Sequence, residues 1–200
     1  REALAGLGER PSAIRVRLLA AVLLTLSTFQ RGDAQVSSLA AEVEAEARLV
    51  GDPESLCAAM HVRHVLLRAT PRLAERTALG QLFLRTAAET GDPWWQARAT
   101  VALLSDLFAA GRYAEVTPAV DELRRCAHEA SATRLHWHHA LVQSSLAREQ
   151  GAFEDGDRWS TEAMLQGAAA GVAEALGAAV LHKVLMAMFL ADLVAFRPQI

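Results

Sequence analysis

The chain has 200 residues and a formal net charge of −3, and it is 52% hydrophobic, 22% charged and 6% aromatic. It is long enough to bury a core and too apolar to be disordered. The acidic balance, with Lys183 the single lysine among the arginines, excludes the positive footprint of a nucleic-acid binder. Alanine and leucine supply most of the apolar mass, isoleucine occurs only at Ile14 and Ile200, and asparagine is absent. Helix formers are therefore abundant while strand formers and hairpin turns are scarce, so an all-α protein is expected.

The first element begins near Ser12. Arg15 and Arg17 followed by Leu18–Leu26 imitate a secretory signal, but no small-residue cleavage site follows and the run is too short to span a bilayer. A buried helix is expected instead. Gly32-Asp33 breaks it, and the next helix carries Glu42, Glu44 and Glu46 on what reads as a solvated face. Gly51-Asp-Pro53 and Gly91-Asp-Pro93 then repeat one local grammar. The glycine ends a helix in the left-handed conformation, the aspartate caps the next helix, and proline fills a first-turn position that needs no amide donor. Thr70-Pro71 offers the same order of cap and proline.

Beyond Pro93, Trp94, Ala97, Val101, Leu104 and Phe108 step by three and four, as a helix buried on one face requires. After Gly111, Tyr113, Val116, Val120, Leu123 and Ala127 do the same, with Glu122, Arg124, Arg125 and Glu129 placed for exposed pairing along the helix. Leu135, His139, Val142 and Leu146 follow, then breakers at Gly151 and Gly171. The last run, Leu176–Phe196, is long enough to cross a membrane but is interrupted by His182, Lys183 and Asp192, so it reads as a buried helix.

The breakers fall on a grid. Gly51 to Gly91 and Gly111 to Gly151 are each 40 positions, while Gly91 to Gly111 and Gly151 to Gly171 are each 20. Helices joined by such short turns lie antiparallel, so about 40 residues make one hairpin. Stacked hairpins make an α-solenoid. The expected hairpins are 12–50, 53–90, 93–130, 133–170 and a last pair from 172, in a single repeat domain over 1–200. A start at Arg1 rather than Met adds the expectation that a larger chain carries it.

Gly111-Arg-Tyr-Ala-Glu-Val116 and Gly151-Ala-Phe-Glu-Asp-Gly156 resemble the mid-repeat turn of tetratricopeptide (TPR) repeats, with Val116 where alanine is usual and a spacing of 40 rather than 34. Over most of the chain, Ser12–Ala20, Ala47-Arg-Leu-Val-Gly-Asp-Pro53, Leu73-Ala-Glu-Arg76 and Thr90-Gly-Asp-Pro93 resemble the C-terminal helical region of large actinobacterial regulators. These are the SARP-type and large LuxR-type ATP-dependent transcription factors. The resemblance implies a cytoplasmic, non-catalytic sensor array whose partners are a small-molecule effector, or a peptide or protein segment, and the other domains of the regulator. The chain itself has no Gly-x-x-x-x-Gly-Lys-Ser/Thr loop and no basic recognition helix, so nucleotide or DNA binding would lie outside it.

Four tryptophans are the candidate ligand contacts. Trp94 and Trp95 are adjacent and cannot both face one side of a helix, so one is expected to turn away from its hairpin's core. With Arg98, Arg134, Trp137, His138 and Trp159, and Arg158 near the last, they form the expected binding set for a planar or peptide ligand. The competing role for these aromatics is filling the core between repeats. His61/His64 and His136/His139 have zinc spacing on one helical face, but no Cys-x-x-Cys or His-Glu-x-x-His accompanies them, and neither a metal nor a cofactor is expected. Cys57 and Cys126 read as buried free thiols, a disulfide being the alternative. No nucleophile elbow or protease helix suggests an enzyme. A second class of reading is a protein-interaction scaffold without a small ligand, and the apolar 176–196 run also permits a homodimer.

Overall fold

The computed structural model describes residues 10–29, 34–173 and 175–196. Among them are nine helices and no strand: α1 (Ala13–Phe29), α2 (Ala34–Val50), α3 (Pro53–Leu67), α4 (Leu73–Thr90), α5 (Pro93–Ala109), α6 (Tyr113–Glu129), α7 (Thr133–Glu149), α8 (Phe153–Ala169) and α9 (Ala175–Phe196). The protein is all-helical, and its helices pack consecutively. No helix of the described residues is long and apolar enough to cross a membrane.

The Gly-Asp-Pro grammar operates as written. Asp52 accepts the Ser55 amide at 3.0 Å and Asp92 accepts the Trp94 amide at 2.8 Å, with Pro53 and Pro93 opening their helices. The Ser55 hydroxyl also donates to Asp52, and that bond does most to hold the aspartate below its ordinary carboxylate pKa. Gly51, Gly91, Gly111, Gly151 and Gly171 all have φ between 63° and 75°. Ser131 joins them with φ 48°, filling the grid position 20 residues after Gly111 with a residue that pays a steric cost there. The Gly32-Asp33 breaker lies outside the described residues.

Thr70-Pro71 departs from the expected cap. The Thr70 hydroxyl donates to the Leu67 carbonyl at 2.8 Å, closing the end of α3, and α4 starts two residues later than a Thr70 cap requires, after Arg72, which supplies no side-chain cap. One hydroxyl proton is spent on the preceding helix, so the turn is longer than in the Gly-Asp-Pro linkers.

The helices group into two compact units, Arg1–Tyr113 and Ala114–Ile200. In the first, α1 packs on α2 and α3, and α3 packs on α2, α4 and α5, with α4 also against α5. Its core runs through Val16, Leu23, Val43, Val62 and Ala47, then Cys57, Phe83, Ala87 and Ala99. In the second, α7 packs on α8 and α9, and α8 on α9, around Trp137, Ala140, Ala163, Val172 and Ala175. The α6 face of Val116, Val120, Leu123 and Ala127 is buried as its spacing predicts.

Two expectations need correction. Glu44 and Glu46 do not form a solvated face: Glu46 accepts from Arg15 at 2.9 Å and Glu44 accepts from Arg63 at 2.9 Å, tying α2 to α1 and to α3. Both carboxylates are half-buried where α2 meets its neighbours, so the arginines of α1 and α3 reach them. The last helix is also not buried all round. Leu176, Val180, Leu181, Val184, Met188 and Leu190 are 44–60% exposed, because α7 and α8 cover only one side of α9 within this unit.

Candidate ligand site on the first, third and fifth helices

The Asp92 cap and Pro93 set the phase of α5, so its first two turns present Trp94, Trp95 and Arg98. Successive residues on a helix are about 100° apart, and the two indoles diverge accordingly. Trp95 leans inward and meets Phe83 edge-on, with ring centroids 6.4 Å apart at 63°. Trp94 carries the Arg98 guanidinium 5.4 Å above its ring, a cation–π pair one turn apart. Despite the divergence, both indoles border the same cavity of about 230 Å³. Its other walls are Arg17, Ala20, Ala21 and Leu24 of α1 and Ala58 and His61 of α3. His61 stacks on Phe83 with centroids 6.1 Å apart, and Arg17 donates through one Nη to Glu54.

The remaining expected contacts belong to the second unit. Trp137 is 5% exposed and fills the core there, its indole N–H without a hydrogen-bond partner. Trp159 packs against that core and meets His139 edge-on at 5.7 Å, while His138 lies 4.5 Å from Trp137. Arg134 and Arg158 are exposed on the surface. The structure thus gathers Trp94, Trp95 and Arg98 into one cavity and uses Trp137 for packing.

Sequence reasoning missed the six other residues of the cavity wall, Arg17, Leu24 and His61 among them. Arg17 looked like the charged end of a signal peptide, Leu24 like part of its apolar run, and His61 like a possible metal ligand. Nothing local connects positions 17, 61 and 98; only the packing of both α1 and α5 against α3 brings them together.

A second cluster was also illegible. Asp106 of α5 is fully buried, accepts from His64 Nε2 of α3 at 3.0 Å, and accepts on its other oxygen from Arg76 Nε of α4. The approach depends on Gly80, where a Cβ would stand 3.2 Å from the Asp106 carboxylate. This network engages His64 with a carboxylate partner. Among the described residues no group of three or more His, Cys, Asp or Glu is arranged to hold a metal ion.

In the second unit, burial lowers the pKa of His139, helped by the nearby Arg124 and His136, and burial with Arg148 lowers that of His182. His182 Nδ1 lies 3.1 Å from the Ser144 hydroxyl, whose single proton goes to the Gly156 carbonyl at 2.9 Å, so the imidazole donates its Nδ1–H to the serine oxygen. Cys57 and Cys126 are buried and free, and burial pushes their thiols up to about 12 and about 11. Neither has the thiolate character of a nucleophile.

No family model, no curated protein and no solved structure matches the chain.

Proposed function

We propose that the chain is a non-catalytic sensor module, built of TPR-like helical hairpins, that binds a small-molecule effector and modulates a transcriptional regulator. The observation that carries the sensor reading is the cavity bordered by Trp94, Trp95, Arg17 and His61, an aromatic and cationic recess formed by α1, α3 and α5. Its concavity and its few convergent polar groups are the ordinary properties of a small-ligand site. The TPR-like part of the reading is supported by the left-handed turn at about every 20 residues and by contacts of α3 with α1 and α5, and of α7 with α9. The regulator part rests on the sequence resemblance alone, and other domains of that regulator, in the cytoplasm, would be the module's partners.

Thermal unfolding against a panel of metabolites, nucleotides and Zn²⁺ tests the sensor reading. A ligand at about a hundred times its dissociation constant adds roughly 2.7 kcal/mol, a few degrees for a chain of this size. The expected result is a saturable shift with one chemical class that disappears in Trp94→Leu. Silence across the panel overturns the reading. The regulator part is tested by whether the same ligand changes promoter binding by the protein that carries this chain.

A second reading, a protein-interaction scaffold, is favoured by the exposed apolar stripe Leu176, Val180, Val184 and Met188 on α9. Stripes of this kind on a surface mark contacts with protein. Replacing Val184 and Met188 by lysine would abolish partner capture or self-association under that reading, and would leave the thermal shift untouched under the first.

A further inference from the structure

We infer that the cavity takes a planar aromatic carboxylate of one or two fused rings. The inference deepens the sensor reading and rests on it.

Size comes first. The cavity, about 230 Å³, is smaller than the roughly 300–1,000 Å³ typical of drug-sized ligands. It therefore suits a small ring system better than a whole nucleotide or an extended chain. Shape comes second. Two indole rings and an imidazole share the wall with Ala20, Leu24 and Ala58, which favours a flat apolar body over a branched or strongly hydrated one.

Charge decides the class. The ionisable groups in the wall are Arg17, Arg98 and His61, and none is acidic. Glu54 takes one Nη donor of Arg17 from outside the wall, and Arg98 is stacked on Trp94. A guanidinium carries five N–H donors in a planar fork, so a single bond to Glu54 leaves Arg17 able to meet a second carboxylate side-on. Its side chain is 43% exposed, so it can do so without leaving its helix. A cationic ligand of the same shape would face two guanidiniums, and a neutral one would forgo the charge-assisted bonds.

The test is titration followed in ¹H–¹⁵N spectra at the indole N–H of Trp94 and Trp95, assigned with Trp94→Phe and Trp95→Phe. The probes are indole-3-acetate, indole-3-acetamide and tryptamine, which share a ring and differ in charge. The carboxylate should give saturable shifts at both indoles with at least a tenfold lower Kd than the amide, and tryptamine should bind weakest. Arg17→Gln should erase the tenfold preference while leaving amide affinity and the unfolding temperature unchanged, since the Arg17–Glu54 pair is solvent-exposed. Equal affinity for the amide or tryptamine, or a preference that survives Arg17→Gln, overturns the inference and leaves the sensor reading standing. No shift from any of the three also overturns it, and the sensor reading falls as well only if the thermal panel is silent.

Discussion

The two units solve helix packing with different chemistry. In the first, charge crosses between helices: Arg15 to Glu46, Arg17 to Glu54, Arg63 to Glu44 and Glu75, and at the centre Asp106 between His64 and Arg76. In the second, the pairs Arg124–Asp121, Arg125–Glu122, Arg125–Glu129 and Arg158–Asp155 run along single helices, and Lys183–Asp157 links α9 to α8 at the surface. Its buried cross-helix polar bonds come from hydroxyls: Ser144 to the Gly156 carbonyl and Ser160 to the Ala179 carbonyl at 3.1 Å. A buried ion tolerates the loss of a partner badly, whereas a hydroxyl bonded to a carbonyl leaves little behind when removed. The first unit should therefore be brittle where its charge is buried, at Asp106 with His64 and Arg76, and tolerant at its half-exposed pairs, while the second should be governed by close packing.

The largest effect expected is at Asp106. Asp106→Ala strands Arg76 and His64 in the core and should cost about 3–5 kcal/mol, read as a lowered unfolding midpoint in urea. Replacing all three residues together by apolar ones of similar volume should recover most of that loss, because no buried charge is then left unpaired. If the single substitution is neutral, the contrast between the units collapses.

Next comes Gly167 in α8. A Cβ there would stand 2.2 Å from the Ala175 Cβ and 3.0 Å from the Trp137 ring. Gly167→Ala should thus destabilise by about 1–3 kcal/mol through overpacking, although the same change in an open helix is favourable. Gly177 in α9 supplies the control, since nothing lies within 4 Å of its would-be Cβ. Gly177→Ala should stabilise by roughly 0.5–1 kcal/mol. Thermal melts of the two variants should move in opposite directions.

Ser131→Gly should stabilise by a similar amount, roughly 0.5–1 kcal/mol, by relieving a left-handed backbone in a residue with a Cβ. The finest distinction is the acid response. His139 and His182 have folded pKa values below the ordinary 6.5, so as pH falls through 6.5 the unfolded chain takes up protons that the folded second unit resists. Stability is full above that pH and declines below it, toward the folded values. Melts at pH 7.5 and 5.0 should show the drop, and His182→Gln should flatten it.

What was legible in the sequence was whatever depends on neighbours a few positions away. Gly51-Asp-Pro53 and Gly91-Asp-Pro93 named their helix boundaries because cap, proline and left-handed turn are local chemistry. Ser131 hid the same turn, since serine advertises none of glycine's freedom. Trp94 and Arg98 were legible as a pair one helical turn apart, but Arg17 and His61 were not. The Asp106 network was invisible for the same reason: its partners lie 42 and 30 residues away, and each alone reads as an ordinary polar residue on a helix.

Cys57 sits in the first unit and Cys126 in the second, each fully buried and each held as a poorly reactive thiol. Alkylation of either sulfur requires its own surroundings to open, so labelling rates at the two positions are separate clocks on the opening of the two units. A single-cysteine pair of variants would turn one chain into two independent hydrogen-exchange-like reporters, and an effector bound beside Trp94 would slow the first clock directly.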